Sequence, residues 1–105
     1  FEHFLMQEVR AYLSYSRKDI TMSYFRSTSQ FEVDLILGDM WALEFKGVKL
    51  VHDRHLKGLR ALKEEGLIRH YAVVSLDAEK RKTKDGIFVY PWKEFLEDLW
   101  NGKLL

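Results

Sequence analysis

Apolar positions in the first half of the chain change from helical spacing to strand-like alternation. In residues 1–16 they recur three and four positions apart, as Leu5, Val9 and Leu13 illustrate, which predicts an amphipathic helix. The next segments alternate or are rich in β-branched and aromatic residues, separated by turn-forming residues. We therefore predict three strands, over residues 20–27, 31–37 and about 41–47.

The second half of the chain adds two helices and two strands. Asp53 is a candidate N-cap for a helix over 53–65, and Gly66 follows the end of that helix. The segment "IRHYAVVSL" is almost continuously apolar, as is typical of a central strand covered on both faces. A charged loop over 77–86, a strand over 87–90 and a helix with Pro91 at its first position complete the chain. The predicted order is α-β-β-β-α-β-β-α.

Charged residues interrupt the second and third predicted strands. Asp34 lies between Val33 and Leu35, and Glu44 and Lys46 lie on either side of Phe45. Because side chains alternate along a strand, we expect the apolar residues of this hairpin on one face and its charged residues on the other. The faces predicted for the first arm are Val33, Leu35 and Leu37 on one side, and Glu32, Asp34 and Ile36 on the other.

The register of this hairpin determines whether the charged residues meet. Paired residues of antiparallel strands point the same way, so the apolar faces coincide only if the loop has an odd length. One three-residue loop pairs Leu37 with Trp41 and places Asp34 directly opposite Glu44. Another, shifted by one residue on each strand, places the two acids diagonally. In both registers Asp34, Glu44 and Lys46 share a face.

Such a cluster has a chemical use. Two adjacent carboxylates repel unless a cation lies between them, and Mg²⁺ prefers oxygen ligands that often include one or two carboxylates. A bound ion activates water and neutralises charge on a phosphoryl oxygen, and a neighbouring lysine orients the water or stabilises the developing charge. The competing interpretation is a solvated hairpin face with one cross-strand ion pair.

Composition limits the class of protein. A length of 105 residues with 47% hydrophobic residues is typical of one globular domain, and the net charge of +1 gives no global basic field for nucleic acid. The absence of cysteine excludes thiolate sites and is consistent with a cytoplasmic location. No apolar stretch approaches the ~18 residues of a membrane span. Because the sequence begins with Phe1 inside a helical pattern, we expect a fragment of a longer protein.

The core motif of the PD-(D/E)XK nuclease superfamily resembles the pattern of acids and lysine in this hairpin. Asp34 is followed after nine residues by Glu44, and Glu44 is followed after one residue by Lys46. The α-β-β-β-α-β order of that superfamily matches the predicted order, and Glu2 lies where its first helix commonly contributes a glutamate. Val33 stands in place of the proline of the motif. Longer segments resemble the C-terminal domain of a prokaryotic AAA+ ATPase family of largely unknown function. These are "FEHFLMQEVRAYLSY", "FRSTSQFEVD", "ALEFKGVKLVHDRHLKGLRAL" and "GIFVYPWKEFLEDLW".

This resemblance implies a restriction-endonuclease-like α/β fold, with a mixed sheet flanked by helices, over residues 1–105. It implies a DNA nuclease in which Asp34, Glu44 and the Phe45 carbonyl hold Mg²⁺ or Mn²⁺. Lys46 would assist the attacking water, and Glu2 would support the site. The implied partners are DNA and an ATPase domain of the same longer chain, without a membrane. The alternative is a catalytically inactive module that binds DNA or a protein partner for the ATPase.

Basic residues follow the third strand closely. We predict that Lys49, His52 and His55 bind phosphates beside the metal site. Arg54, Lys57 and Arg60 fit a polar helix face, and "KRKTK" at 80–84 fits a solvated loop. For Glu2, the alternative is a first-turn acid that favours the helix dipole.

Overall fold

The computed structural model describes residues 1–105 as a layered arrangement of helices and strands. The helices are α1 (Glu2–Ser16), a 3₁₀ helix (Asp53–Leu56), α2 (Lys57–Lys63) and α3 (Trp92–Trp100). The strands are β1 (Met22–Arg26), β2 (Glu32–Leu37), β3 (Trp41–Phe45), β4 (His70–Ser75), β5 (Arg81–Lys82) and β6 (Ile87–Pro91). The predicted order is confirmed, with β5 as an additional short strand inside the predicted loop 77–86.

All six strands form one mixed sheet in the order β1-β2-β3-β4-β6-β5. The first three strands pair antiparallel, β3-β4 and β4-β6 pair parallel, and β5 pairs antiparallel with β6. The parallel β3-β4 connection passes through the 3₁₀ helix and α2, as parallel pairing requires a crossover. The prediction of a mixed α/β sheet flanked by helices is confirmed. No helix combines the length and apolar character needed to cross a membrane.

Both faces of the sheet are buried. One core lies between the sheet and the helices α1 and α3, and includes Leu5, Leu43 and Phe95. The other lies under the 3₁₀ helix and α2, and includes Ala42 and Leu59. The hairpin face that carries Glu44 therefore packs against α2, so the interpretation of that face as a solvated surface is wrong.

The register of the β2-β3 hairpin is the first of the two predicted. Leu37 pairs with Trp41 and Leu35 pairs with Leu43, which makes Asp34 the counterpart of Glu44. The loop between the strands is three residues long and begins with Gly38 at a φ of 55°, a left-handed conformation that suits glycine. The odd loop length predicted from strand parity is thus confirmed.

A β-bulge changes the predicted faces of β2. The β1-β2 register shifts between Ser23 and Phe25, so that Tyr24 faces both Asp34 and Leu35. Beyond the bulge, Val33 belongs to the core under α2, whereas Leu35 belongs to the core under α1 and α3. The prediction that Val33, Leu35 and Leu37 share a face is wrong at Val33, because the extra residue reverses the alternation there.

Two helix starts differ from prediction. The predicted helix over 53–65 begins as the 3₁₀ helix with His52, not Asp53, at the N-cap. The His52 backbone N–H donates to His55 Nδ1 at 2.9 Å, which closes this first turn. Pro91 is the last residue of β6 and the N-cap of α3, not its first helical residue, because it still pairs with Ser75 at the end of the sheet and the helix begins at Trp92.

Candidate functional site

The two acids of the hairpin lie where β2 and β3 separate. The backbone pairing of the two strands ends at Leu35 and Leu43. Beyond that pair, hydrogen bonds to the side chains of the two acids connect the strands. The Asp34 backbone N–H donates to Glu44 Oε1 at 3.2 Å, and the Phe45 backbone N–H donates to Asp34 Oδ2 at 2.8 Å. Each acid thus accepts a hydrogen bond from a backbone N–H of the opposite strand. The extra residue of the bulge at Asp34 bends β2 locally, so that the Asp34 carboxylate can face β3.

Glu44 is an acid in an unfavourable environment for charge. Its side chain lies in the sheet interior, and the residue is only 7% exposed. Burial, with the hydrogen bonding and negative charge of Asp34, raises the pKa of Glu44 to about 9, against the opposing attraction of Lys46. Without a further cation, Glu44 therefore carries a proton at neutral pH.

Glu2 and Lys46 complete the group. Partial burial and then the charge of Asp34 raise the pKa of Glu2, while the Lys46 ammonium lowers it, which places Glu2 beside the pair. None of the salt bridges of the protein includes Lys46. The structure thus brings three carboxyl groups together from α1, β2 and β3, with one uncommitted ammonium group from Lys46, the residue after β3.

An open cleft of about 230 Å³ is lined by Asp34, Glu44 and Lys46 of this group, whereas Glu2 lies outside its lining. Of the predicted nucleic-acid contacts, only His55 lines it, while Lys49 and His52 lie exposed outside it. Arg54, predicted to lie on a polar helix face, lines the cleft instead. The cleft is bounded by Gln30, Phe31, Glu32, Asp34, Glu44, Lys46, Arg54, His55 and Gly58.

The cleft depends on close contact between α2 and β2 at Gly58. A Cβ atom built on Gly58 would lie 1.9 Å from the Glu32 carbonyl oxygen, so no other residue fits without movement of the helix. Gly58 was absent from the predicted site. Its sequence signal is a glycine inside a helical pattern, between Lys57 and Leu59, which often marks a close backbone approach.

The donor set suits a hard divalent ion. Asp34 and Glu44 offer two adjacent carboxyl groups, each with one oxygen used by a backbone N–H. The Phe45 N–H points towards Asp34. In a strand the carbonyl of a residue points to the same neighbouring strand as its N–H, so the Phe45 carbonyl also faces β2. No group of three or more His, Cys, Asp or Glu side chains is arranged to hold a metal. Two carboxylates and a carbonyl nevertheless match the ligands that Mg²⁺ takes together with water.

Comparison with protein families gives one match. The model of DUF4143, a domain of unknown function, covers residues 1–95. The chain belongs to the DUF4143 family. A search of curated proteins and a search of solved structures each gave no match. The family description names no activity.

A second buried acid of the DUF4143 domain, Asp77, was missed by sequence reasoning. It is 6% exposed, yet burial is outweighed by hydrogen bonds from Ser75 and Arg81, which lower the pKa of Asp77. Arg81 Nη1 lies 2.7 Å from Asp77 Oδ1, and the Val51 N–H also donates to this carboxylate. Arg81 Nη2 further donates to the Val51 carbonyl at 2.8 Å. Asp77 thus anchors the segment after β3 to the end of β4.

Other basic residues of the region are engaged elsewhere. Arg60 pairs with Asp85 at 2.9 Å and with Asp53 at 3.4 Å, on the outer side of α2. In the 80–84 segment, Lys80 lies 4.3 Å from the centroid of the Tyr90 ring and Lys82 lies 5.0 Å from that of Phe88. These contacts place the segment along β6, away from the acidic cleft.

Proposed function

We propose that this DUF4143 domain is a metal-dependent phosphodiesterase of the PD-(D/E)XK nuclease type that acts on DNA. The observation that carries the proposal is that Asp34, Glu44 and Lys46, from two strands of an α-β-β-β-α-β core, line one cleft. As the resemblance implies, the domain would be the C-terminal part of a cytoplasmic AAA+ ATPase.

Asp34, Glu44 and the Phe45 carbonyl are the residues that would hold Mg²⁺ or Mn²⁺. When bound, such an ion lowers the pKa of its water and neutralises charge on a phosphoryl oxygen. The backbone amides of Asp34 and Phe45 fix the two carboxyl groups before any ion arrives, which reduces the reorganisation needed for binding.

Lys46 and Glu2 are the remaining catalytic residues of the proposal. Lys46 has no competing salt bridge, so its ammonium is free to orient a water molecule or to stabilise charge that develops on the phosphate. Glu2 supports the site by accepting a proton or a hydrogen bond beside Asp34. Partial burial and the negative charge of Asp34 both raise the pKa of Glu2. Arg54 and His55 line the same cleft as the acids, and they suit the phosphates on either side of the bond to be cleaved.

Lys49 and His52 have a different part in this proposal. Both lie exposed in the segment between β3 and the 3₁₀ helix, outside the cleft. They would contact the DNA backbone beyond the cleft and contribute affinity that falls as salt increases.

The second candidate function is a catalytically inactive module that binds DNA or a protein partner for the ATPase. The observation that favours it is the reciprocal bonding of Asp34 and Glu44, which already closes the gap between β2 and β3. In that case the acids serve the fold, and a proton on Glu44 replaces the metal ion.

Mg²⁺-dependent cleavage separates the two functions. The wild-type chain, Lys46→Ala and Lys18→Ala are incubated with linear duplex, branched and single-stranded DNA, with and without Mg²⁺. Lys18 is a matched control, because it is exposed just after α1 and lies outside the cleft. For a nuclease, we expect Mg²⁺-dependent cleavage by wild type and Lys18→Ala, and a loss of about 10²–10³-fold in Lys46→Ala.

The same assay identifies the inactive module. Equal background cleavage by all three proteins, unaffected by Mg²⁺, would contradict the nuclease proposal. DNA binding that persists without cleavage would then support the second function.

A further inference from the structure

The sheet ends in two edges that differ in their protection. β1 forms one end of the sheet and β5 forms the other. β5 has only two residues, and Lys80 and Lys84 flank it, so its edge has the short length and the positive charge that prevent pairing with another strand. β1 has five residues and contains neither lysine nor proline. The β1 side is therefore the side of the sheet that is open to a further strand.

The outward backbone groups of β1 follow from its pairing with β2. The Gly38 N–H donates to the Thr21 carbonyl at 2.9 Å, and the Ser27 N–H donates to the Phe31 carbonyl at 2.8 Å. Because the N–H and carbonyl of a strand residue point to one side and the sides alternate along the strand, the odd-numbered residues of this segment face β2. The even-numbered residues present their backbone groups outwards. These are Met22, Tyr24 and Arg26, and we call this row the β1 edge.

The bulge leaves the β1 edge regular. Ser23 and Phe25 pair with Ile36 and Val33, so β2 has two residues between the pairs where β1 has one. The extra residue therefore lies in β2, and the alternation along β1 is unbroken. Three outward N–H groups and three outward carbonyls thus follow one another at the spacing of an ordinary antiparallel strand.

The side chains of β1 permit a copy of the same strand to lie beside it. The only charged residue of the strand, Arg26, is neutralised by Glu32 at 3.0 Å. In an antiparallel pair centred on Tyr24, Met22 lies opposite the partner's Arg26, so the two arginines stay apart. All outward residues then have outward partners, with about six hydrogen bonds between the copies. The Tyr24 side chains, each 71% exposed in the single chain, lie side by side.

We propose that the β1 edge binds a second copy of this chain, with the two β1 strands antiparallel and the two-fold axis at Tyr24. A strand of five residues buries less area than a standard protein interface, so the dimer is reversible and forms at high protein concentration. The axis is perpendicular to the sheet, so the acid clefts of both copies open on the same face of one continuous sheet. The inference goes beyond the proposed function, because it uses neither the acids nor a metal ion.

Sedimentation equilibrium of the wild-type chain tests the assembly. We expect the average mass to rise above the 12.5 kDa of one chain as the protein concentration increases to about 1 mM. Tyr24→Pro removes an outward N–H but no hydrogen bond to β2, a position at which a strand accepts proline. We expect Tyr24→Pro to associate at least about tenfold more weakly, and Lys82→Ala, at the opposite edge, to associate like wild type. Circular dichroism verifies the fold of each variant.

Single cysteines test the register without proline, since the chain has no cysteine of its own. In the proposed dimer the two copies of Tyr24→Cys lie opposite each other at a Cα distance of about 5.5 Å, within the range of a disulfide. Ser23→Cys is the matched control, because Ser23 is also exposed but lies opposite the partner's Phe25. Its two copies would be about 8 Å apart, beyond that range. We expect mild oxidation to cross-link at least about fivefold more of Tyr24→Cys than of Ser23→Cys.

Two results would overturn the inference. A wild-type chain that stays at 12.5 kDa up to about 1 mM would exclude a second copy as the occupant of the β1 edge. A dimer that Tyr24→Pro leaves intact, with equal cross-linking of the two cysteine variants, would place the contact on another surface. Neither measurement contains DNA or Mg²⁺, so failure of the dimer is distinguishable from failure of the nuclease proposal.

Discussion

Glu44 and Asp77 are two buried acids of similar exposure, 7% and 6%, but their environments are opposite. Asp77 accepts hydrogen bonds from Ser75, Arg81 and the Val51 amide, and its pKa is lowered. Glu44 has another carboxyl group, that of Asp34, as its main neighbour, and its pKa is raised to about 9. Burial is common to both residues, so the difference comes from their partners.

This contrast distinguishes an acid that stabilises the fold from an acid that is available for chemistry. All the polar requirements of Asp77 are met within the protein, so a ligand would gain little by approaching it. Glu44 lies in an open cleft with an unmet requirement for positive charge, which a divalent ion satisfies. A perturbed acid in a cleft is the usual indication of a functional site.

The largest effect is expected for removal of the Asp77 carboxylate. Asp77→Ala leaves Arg81 and the Val51 amide without their acceptor, and we expect the free energy of unfolding to fall by about 3 kcal/mol. Asp85→Ala is the matched control, because Asp85 bonds Arg60 at the surface and should contribute less than about 1 kcal/mol. Urea denaturation measures both, and equal effects would show that Asp77 is not the anchor inferred here.

Gly58→Ala tests the close packing of α2 on β2 that covers Glu44. The added methyl group would meet the Glu32 carbonyl at 1.9 Å, and we expect a loss of about 2 kcal/mol as α2 moves away from β2. Gly47→Ala is the control, because its methyl group would lie 3.8 Å from Phe1, an ordinary contact. A Gly58→Ala protein as stable as Gly47→Ala would contradict the close helix-strand approach.

The pH dependence of stability should have opposite signs for the two acids. A lowered pKa stabilises the fold above the usual pKa of an aspartate, so the contribution of Asp77 is lost in acid. A raised pKa has the reverse effect: the contribution of Glu44 is complete below 4.5 and is lost as the pH rises towards about 9.

Glu44→Gln isolates this slope. The amide imitates the protonated acid and does not ionise, so between pH 5 and 9 wild type should lose up to about 1.4 kcal/mol per pH unit relative to the variant. Titrating groups that do not interact with Glu44 are common to the two proteins and cancel in the difference, so the slope reports Glu44 together with the groups beside it. Parallel stability curves would mean that the pKa of Glu44 is not raised in the folded protein.

Much of this arrangement is predictable from periodicity and parity. The odd loop around Gly38 follows from the need to bury Leu35 and Leu43 together, and it places Asp34 and Glu44 on one face. The choice between the directly opposite and the diagonal arrangement comes from the structure, which pairs Leu37 with Trp41. The central strand β4 is evident from its continuous apolar run.

The remainder depends on contacts that leave weak signals in one sequence. The bulge at Asp34 places Val33 in a different core from Leu35, but an extra residue in a strand leaves the apolar run unchanged. The burial of Asp77 depends on Arg81, whose location follows from the short pairing of β5 with β6. The burial of Glu44 depends on α2, which packs closely on β2 because Gly58 has no side chain.

Calorimetric titration of Mg²⁺ into wild type and Asp34→Asn at neutral pH tests the central claim, that the Asp34-Glu44 pair is a site for a divalent ion. We expect saturable binding of one ion to wild type, and at least tenfold weaker binding, about 1.4 kcal/mol, to Asp34→Asn. Because Glu44 holds a proton at that pH, binding should also release a proton, measured by repeating the titration in a second buffer. Absence of saturable binding to wild type, or equal binding to both proteins, would contradict the account.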